Sequence, residues 1–226
     1  APGRLNKNSL SVNFTLREFP LVLHSIFLHM EWINSGQKRV AIENVLPQID
    51  RGRHPVKRLA GETIQVSADI FAEGHDVVKA ELHYRTDSVK KWSITPMKHI
   101  ENDLWQGQFY LKKATTYHFR VVGWVDEGST WLHGIKRKID AGQHVETELL
   151  LGAELIADMP VATTNGGVAL AKKAINLFTE KDRYEEALKL IDSKSLENLF
   201  AKYPIAEEDT ISDINKVTAE PRKVMF

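Results

Sequence analysis

The sequence predicts an α+β fold: an antiparallel β-sandwich with a small four-helix bundle inserted into it. Three observations carry that expectation. Residues 38–140 hold short runs in which apolar and polar side chains alternate, the period of a strand with one buried and one wet face. Residues 141–210 switch to three- and four-residue apolar spacing, the period of amphipathic helices. Residues 211–226 return to strand character, so the helical block interrupts a sheet that the chain then resumes.

The elements follow in order. Residues 1–37 form a leader or an added extension. Phe19, Leu21, Leu23, Ile26, Phe27, Leu28 and Trp32 are too apolar to stay in water, so part of this segment is expected to pack or self-associate. Strands are predicted over 39–45, 62–71, 78–85, 91–97, 104–111, 116–125 and 130–138. The second is the clearest: Ile64, Val66, Ala68 and Ile70 fall on one face, and Thr63, Gln65, Ser67 and Asp69 on the other. Turn signals stand at Glu73-Gly74, Asn102-Asp103 and Asp126-Glu127-Gly128. Seven short strands at this spacing point to an immunoglobulin-like sandwich. Its core is expected to hold Ile64, Val66, Ile70, Leu82, Tyr84, Trp105, Phe109, Tyr117, Phe119 and Val121.

A first helix is predicted over 144–159, with Val145, Leu149, Gly152 and Ile156 inward; Pro160 ends it because proline cannot continue the hydrogen-bond ladder. A second starts after Gly166-Gly167 and carries Val168, Ala171, Ile175 and Phe178. A third spans 182–191, capped by Asp182, with Tyr184, Ala187, Leu188 and Ile191 inward. A fourth spans 195–203 with Leu196, Leu199, Phe200 and Tyr203, and stops at Pro204. Short connections between them read as an antiparallel bundle over 141–210. Ile214, Val217, Val224 and Phe226 are then the sheet residues of a segment over 211–226 that completes the sandwich of 38–140.

Composition excludes several chemistries. The 226 residues contain no cysteine, which rules out a disulfide scaffold, a thiolate metal site and a thiol nucleophile, and fits a cytoplasmic setting. Thirty basic and thirty acidic side chains give a net charge of zero, without the basic excess of a nucleic-acid binder. Charge is nonetheless polarised: residues 1–58 hold nine basic and four acidic side chains, and residues 145–226 ten and fifteen. The longest apolar stretch, Leu21–Met30, is broken by His24, Ser25 and His29 and is too short to span a bilayer, so no membrane partner is expected.

Three groups of residues are candidates for chemistry or binding. Arg51, Arg53, Lys57 and Arg58 form a basic loop suited to an anion or to ion pairs with a neighbouring domain; the second reading is favoured. Glu73, His75 and Asp76 surround Gly74 at a hairpin turn. They make the best local acid–base cluster, but spacing alone does not supply the three or four converging ligands of a metal site, and turn-capping or interdomain contact is the plainer reading. Trp92, Trp124 and Trp131 are a candidate platform for stacking a glucan; Trp124 is out of phase with Tyr117, Phe119 and Val121 and so faces away from the core. The competing expectation, burial under the bundle or at a subunit contact, is preferred. Gly166-Gly167 lacks the Lys-Ser/Thr of a phosphate cradle, and no cofactor is implied.

The order of small motifs is itself distinctive. Pro47, Ile49, Asp50, Gly52, Arg53, Pro55, Lys57 and Arg58, followed by Ala68 to Asp76, resemble the N-terminal region of bacterial maltose-1-phosphate-dependent α-1,4-glucan maltosyltransferases, amylase-like enzymes of glycoside hydrolase family 13. The similarity continues through Trp92, Pro96, Met97, Trp105, Trp124, Asp126, Trp131, Ala141-Gly142-Gln143 and Gly152-Ala153, while Glu73 stands where the family often has Asp. The resemblance implies a sandwich with an inserted helical subdomain, followed beyond Phe226 by a catalytic barrel. It implies a retaining mechanism with an Asp nucleophile and a Glu acid–base, both on the barrel. No catalytic residue, metal or cofactor is therefore placed in this chain. The implied partners are the protein's own C-terminal barrel and a second copy in a homodimer. The implied role is a non-catalytic assembly and dimerisation region; the alternative is a glucan-binding sandwich module of an amylase-like hydrolase.

Overall fold

The computed structural model describes residues 39–159, 167–206 and 209–222. The leader at 1–37, and the expectations placed on Pro160, Gly166, Val224 and Phe226, lie outside them. The described residues form a mixed α+β protein that divides into a β unit, from Lys38–Val125 and Ala206–Phe226, and a helical unit within Asp126–Ile205.

In the β unit, β1 (Val40–Leu46), β3 (Thr63–Ala72), β7 (Leu104–Tyr110) and β6 (Lys98–Glu101) make a sheet in the order β1-β3-β7-β6. A second sheet runs β2 (Val56–Leu59), β10 (Asn215–Glu220), β8 (Thr116–Val125), β4 (Val78–Thr86) and β5 (Ser93–Pro96), with β9 (Thr210–Ile211) also paired to β8. All these pairings are antiparallel except β2 with β10. Register keeps apolar side chains in phase across strands. Ile64 pairs with Phe109 and Ala68 with Trp105 in one sheet, and Leu82 with Val121 and Tyr84 with Phe119 in the other. Because the strand period is two, these inward residues of both sheets meet in one apolar core. Every core residue read from the alternation is in it; Tyr84 is half-buried and stacks on Phe109 at 4.6 Å.

Two strands carry too little apolar character to announce themselves. β6 is exposed along its whole length, and β2 buries only Val56. The predicted strand over 91–97 is the shorter β5, and the chain then crosses to the other sheet as β6.

The change to helix comes at Asp126, not at 141. The strand expected over 130–138 is helix α1 (Glu127–Asp140). The residues read as a turn are its start: the Asp126 carboxylate accepts from the backbone N–H of Ser129 at 3.2 Å and from its hydroxyl at 2.7 Å, and Glu127 sits in the first turn. Leu132 and Ile135 are buried and Trp131 and Ile139 half-buried, the three- and four-residue spacing of a helix face. Asp126 is fully buried, so Asp126→Ala is expected to cost about 1–2 kcal/mol in urea unfolding. Asp126→Asn keeps an acceptor and should recover most of that loss.

Four more helices follow: α2 (Glu146–Ala157), α3 (Gly167–Thr179), α4 (Tyr184–Ile191) and α5 (Lys194–Lys202). Five helices thus stand among the described residues where the sequence suggested four. Asp182, expected as a cap, lies within a 3-10 turn over Lys181–Arg183 that precedes α4. Ser193 does cap α5, accepting from the N–H of Leu196 at 3.3 Å. The apolar faces share a second core that includes Leu149, Ile156, Phe178, Ile191 and Phe200. After Ile205 the chain re-enters the β unit, where β9 pairs with β8 at Val122 and Gly123, close to where it left.

Candidate functional site

The residues read as one basic loop are divided: Arg51 and Arg53 lie in the connection from β1 to β2, while Lys57 and Arg58 stand on β2 itself. Asp50, Arg51 and Gly52 adopt left-handed backbone angles, with φ of 48°, 53° and 79°, and the turn is closed by the Gly52 N–H donating to the Ile49 carbonyl at 3.1 Å. Glycine is required at 52, since an added Cβ would sit 2.9 Å from Oδ1 of buried Asn215. The four cations do not converge on one point. Arg53 pairs with Asp50 at 3.5 Å, Lys57 with Glu220 at 3.1 Å, and Arg58 donates to the Lys57 carbonyl at 2.9 Å. Arg51 is exposed.

Glu73, His75 and Asp76 occupy the turn between β3 and β4, with Gly74 at φ 74°. Asp76 forms a close ion pair with Arg39, while Glu73 and His75 point to solvent. Among the described residues no group of three or more His, Asp and Glu side chains is arranged to hold a metal.

The three candidate tryptophans differ in their surroundings. Trp124 is only 5% exposed. Trp131 belongs to the helical core: its Nε1 donates to the Glu148 carbonyl at 2.8 Å, and its ring lies 5.7 Å from those of Phe178 and Phe200. Trp131 is thus engaged in the helical core, and Trp124 is buried. Trp92 is half-buried beside β5, with the Arg120 and Arg85 guanidinium groups 4.6 and 4.8 Å from its ring centre. The outward position of Arg85 and Arg120 is readable from alternation, but their meeting at Trp92 depends on strand register, which the sequence does not disclose.

Among the described residues are two shallow cavities of about 340 and 300 Å³. One is lined by Leu46, Pro47, Arg58, Ser67 and Gln106 among others, the second by Lys173, Glu186, Lys189 and Ser193 among others. Neither is lined by two carboxylates, the pair that glycosyl transfer with retention uses. No helix among the described residues is long and apolar enough to cross a membrane.

Residues 38–221 match the model of the family described as Alpha-1,4-glucan:maltose-1-phosphate maltosyltransferase, domain N/S. The chain belongs to this family. It is 45% identical over 121 residues to the Alpha-1,4-glucan:maltose-1-phosphate maltosyltransferase of Chlorobaculum tepidum, an alignment covering 54% of this chain and 18% of that protein. The protein of the same name from Myxococcus xanthus is 41% identical over 139 residues, covering 60% of this chain and 20% of the relative. That of Picrophilus torridus is 28% identical over 182 residues, covering 80% and 29%. The chain thus spans about a fifth to under a third of the length of these relatives.

Proposed function

We propose that this N/S domain is the non-catalytic assembly and dimerisation region of an amylase-like, cytoplasmic enzyme that transfers maltose from maltose 1-phosphate to α-1,4-glucans. The observation that carries the reading is the match of 38–221 to a domain that fills only a minor part of maltosyltransferases. The chemistry then belongs to a barrel elsewhere in the enzyme. Arg51, Arg53, Lys57, Arg58 and the turn of Glu73, His75 and Asp76 serve as contacts to that barrel or to a second copy.

We also read the β unit as an immunoglobulin-like sandwich. Support comes from strand order: β1-β3-β7-β6 follows the A-B-E-D sheet, and β10-β8-β4 the G-F-C sheet. A further mark is Tyr117 near the start of β8, whose hydroxyl accepts from the Lys113 N–H at 2.9 Å, as in a tyrosine corner. On this reading the helical unit replaces the F–G loop.

Two measurements test the proposal. The purified 226-residue chain, given maltose 1-phosphate and glycogen, is expected to release no phosphate; turnover would overturn the non-catalytic role. Light scattering is expected to show dimer at high concentration, and a strictly monomeric mass would remove the dimerisation role.

A further inference from the structure

We propose that Arg85, Arg120 and Trp92 form a phosphate-binding site on the outward face of the six-stranded sheet. In β4 and β8, Leu82, Tyr84, Phe119 and Val121 turn into the core, so their chain neighbours turn out. Register places His83 opposite Arg120 and Arg85 opposite His118. Trp92 lies just ahead of β5, whose Ser93 and Ile94 pair with Tyr84 and His83, and this brings its ring against both guanidinium groups.

The nearby carboxylates are committed elsewhere. Glu81 bonds His83 at 3.0 Å, and Asp87 forms a close pair with His118. Arg85 donates to the Val89 carbonyl at 3.3 Å and, at the limit of a bond, to that of Lys90 at 3.5 Å. The Arg120 side chain makes no hydrogen bond or ion pair with the described residues, and the Nε atoms of both arginines are shut off from water without an acceptor. Two like charges are therefore held close together and partly dried. Burial, and then the charge of Arg85, hold the Arg120 guanidinium below its ordinary pKa.

Stacking on Trp92 attracts each cation but does nothing about their mutual repulsion. A dianionic phosphate does: it matches two charges, and its oxygens accept from two planar forks. A carboxylate would cancel only one. Both side chains are half-buried, which strengthens charge interactions while leaving the group reachable.

The test is titration of the 226-residue chain with inorganic phosphate at constant ionic strength, read by calorimetry and by tryptophan fluorescence. Saturable binding is expected, with the fluorescence change lost in Trp92→Phe. Arg120→Ala should weaken binding by about tenfold or more, the worth of a charge-assisted hydrogen bond. Arg120→Lys, which keeps the charge and removes the fork, should weaken it as well and serves if the alanine variant fails to fold. Arg137→Ala, exposed on α1, should leave binding unchanged. Absence of saturation, equal loss in Arg137→Ala, or acetate binding as tightly as phosphate would each overturn the assignment. None of these outcomes bears on the assembly role, which rests on other observations.

Discussion

Gly152→Ala is expected to destabilise the helical unit severely, although alanine is the better helix former. Gly152 is buried within α2, and a Cβ built there would stand 2.0 Å from Cζ2 of Trp131 and 2.6 Å from Cε2 and Cη2. Ordinary carbon contacts are about 3.5–4 Å. The indole has little room to withdraw: Nε1 is held by the Glu148 carbonyl, and Phe178 and Phe200 pack against the ring. Overpacking of this kind costs about 1–3 kcal/mol and at times more, and so close a collision belongs at the top of that range. The helix-propensity gain of about 1 kcal/mol offsets only part of it. Urea unfolding followed by far-ultraviolet circular dichroism should show a net loss of about 2 kcal/mol or more. In a double-mutant cycle Trp131→Phe should recover part of the loss, because the smaller ring vacates the space. A Gly152→Ala chain as stable as the parent would mean that α1 and α2 do not approach as described.

That contact also shows what the sequence could disclose. Alternation located the β core almost completely, since Ile64, Val66, Leu82, Phe109, Phe119 and Val121 are buried for the reason that predicts them: the strand period leaves them one face. The helical core was legible in the same way at Leu149, Ala187, Leu199 and Phe200. The failure at 130–138 has a definite cause. Asp126-Glu127-Gly128 has turn chemistry, and the same residues start a helix when the aspartate accepts from the N–H three residues on. Trp131, Ile135 and Ile139 held the helical period all along. The motif resemblance led to the family, and the match over 38–221 agrees with it.

Sites were less legible than elements. Trp124 is out of phase with the inward residues of β8 and is nonetheless buried, so facing away from one core does not mean facing solvent. The basic loop read as a cluster because its residues are close in sequence, whereas Arg53 and Lys57 turn to different acidic partners. Arg85 and Arg120 lie 35 positions apart and meet only because β4 pairs with β8. Proximity along the chain overstates one cluster and conceals the other.

Phe119→Ala is expected to produce the largest loss in the β unit, about 3–5 kcal/mol. Phe119 is fully buried on β8, which has β4 on one side and β10 on the other. Tyr84 stands opposite it across one pairing and Asn215 across the other, and its ring centre is 6.0 Å from that of Phe109. Phe109 is in turn stacked on Tyr84, so neighbours locked by strand register and ring packing cannot collapse into the space. A domain of ordinary stability holds only about 5–15 kcal/mol, so the variant would keep a small margin or none. Phe119→Leu, which refills most of the volume, should cost much less; a loss below about 1 kcal/mol for the alanine variant would show that the site relaxes and the packing account is wrong. The adjacent position makes the sharper comparison. Arg120 points to the other face of the same strand, where removing its charge relieves repulsion from Arg85, and Arg120→Ala should change stability by no more than about 0.5 kcal/mol. One step along β8 thus separates a residue that holds the sheets together from one kept for what binds outside them, and measuring both losses on the same chain tests that division directly.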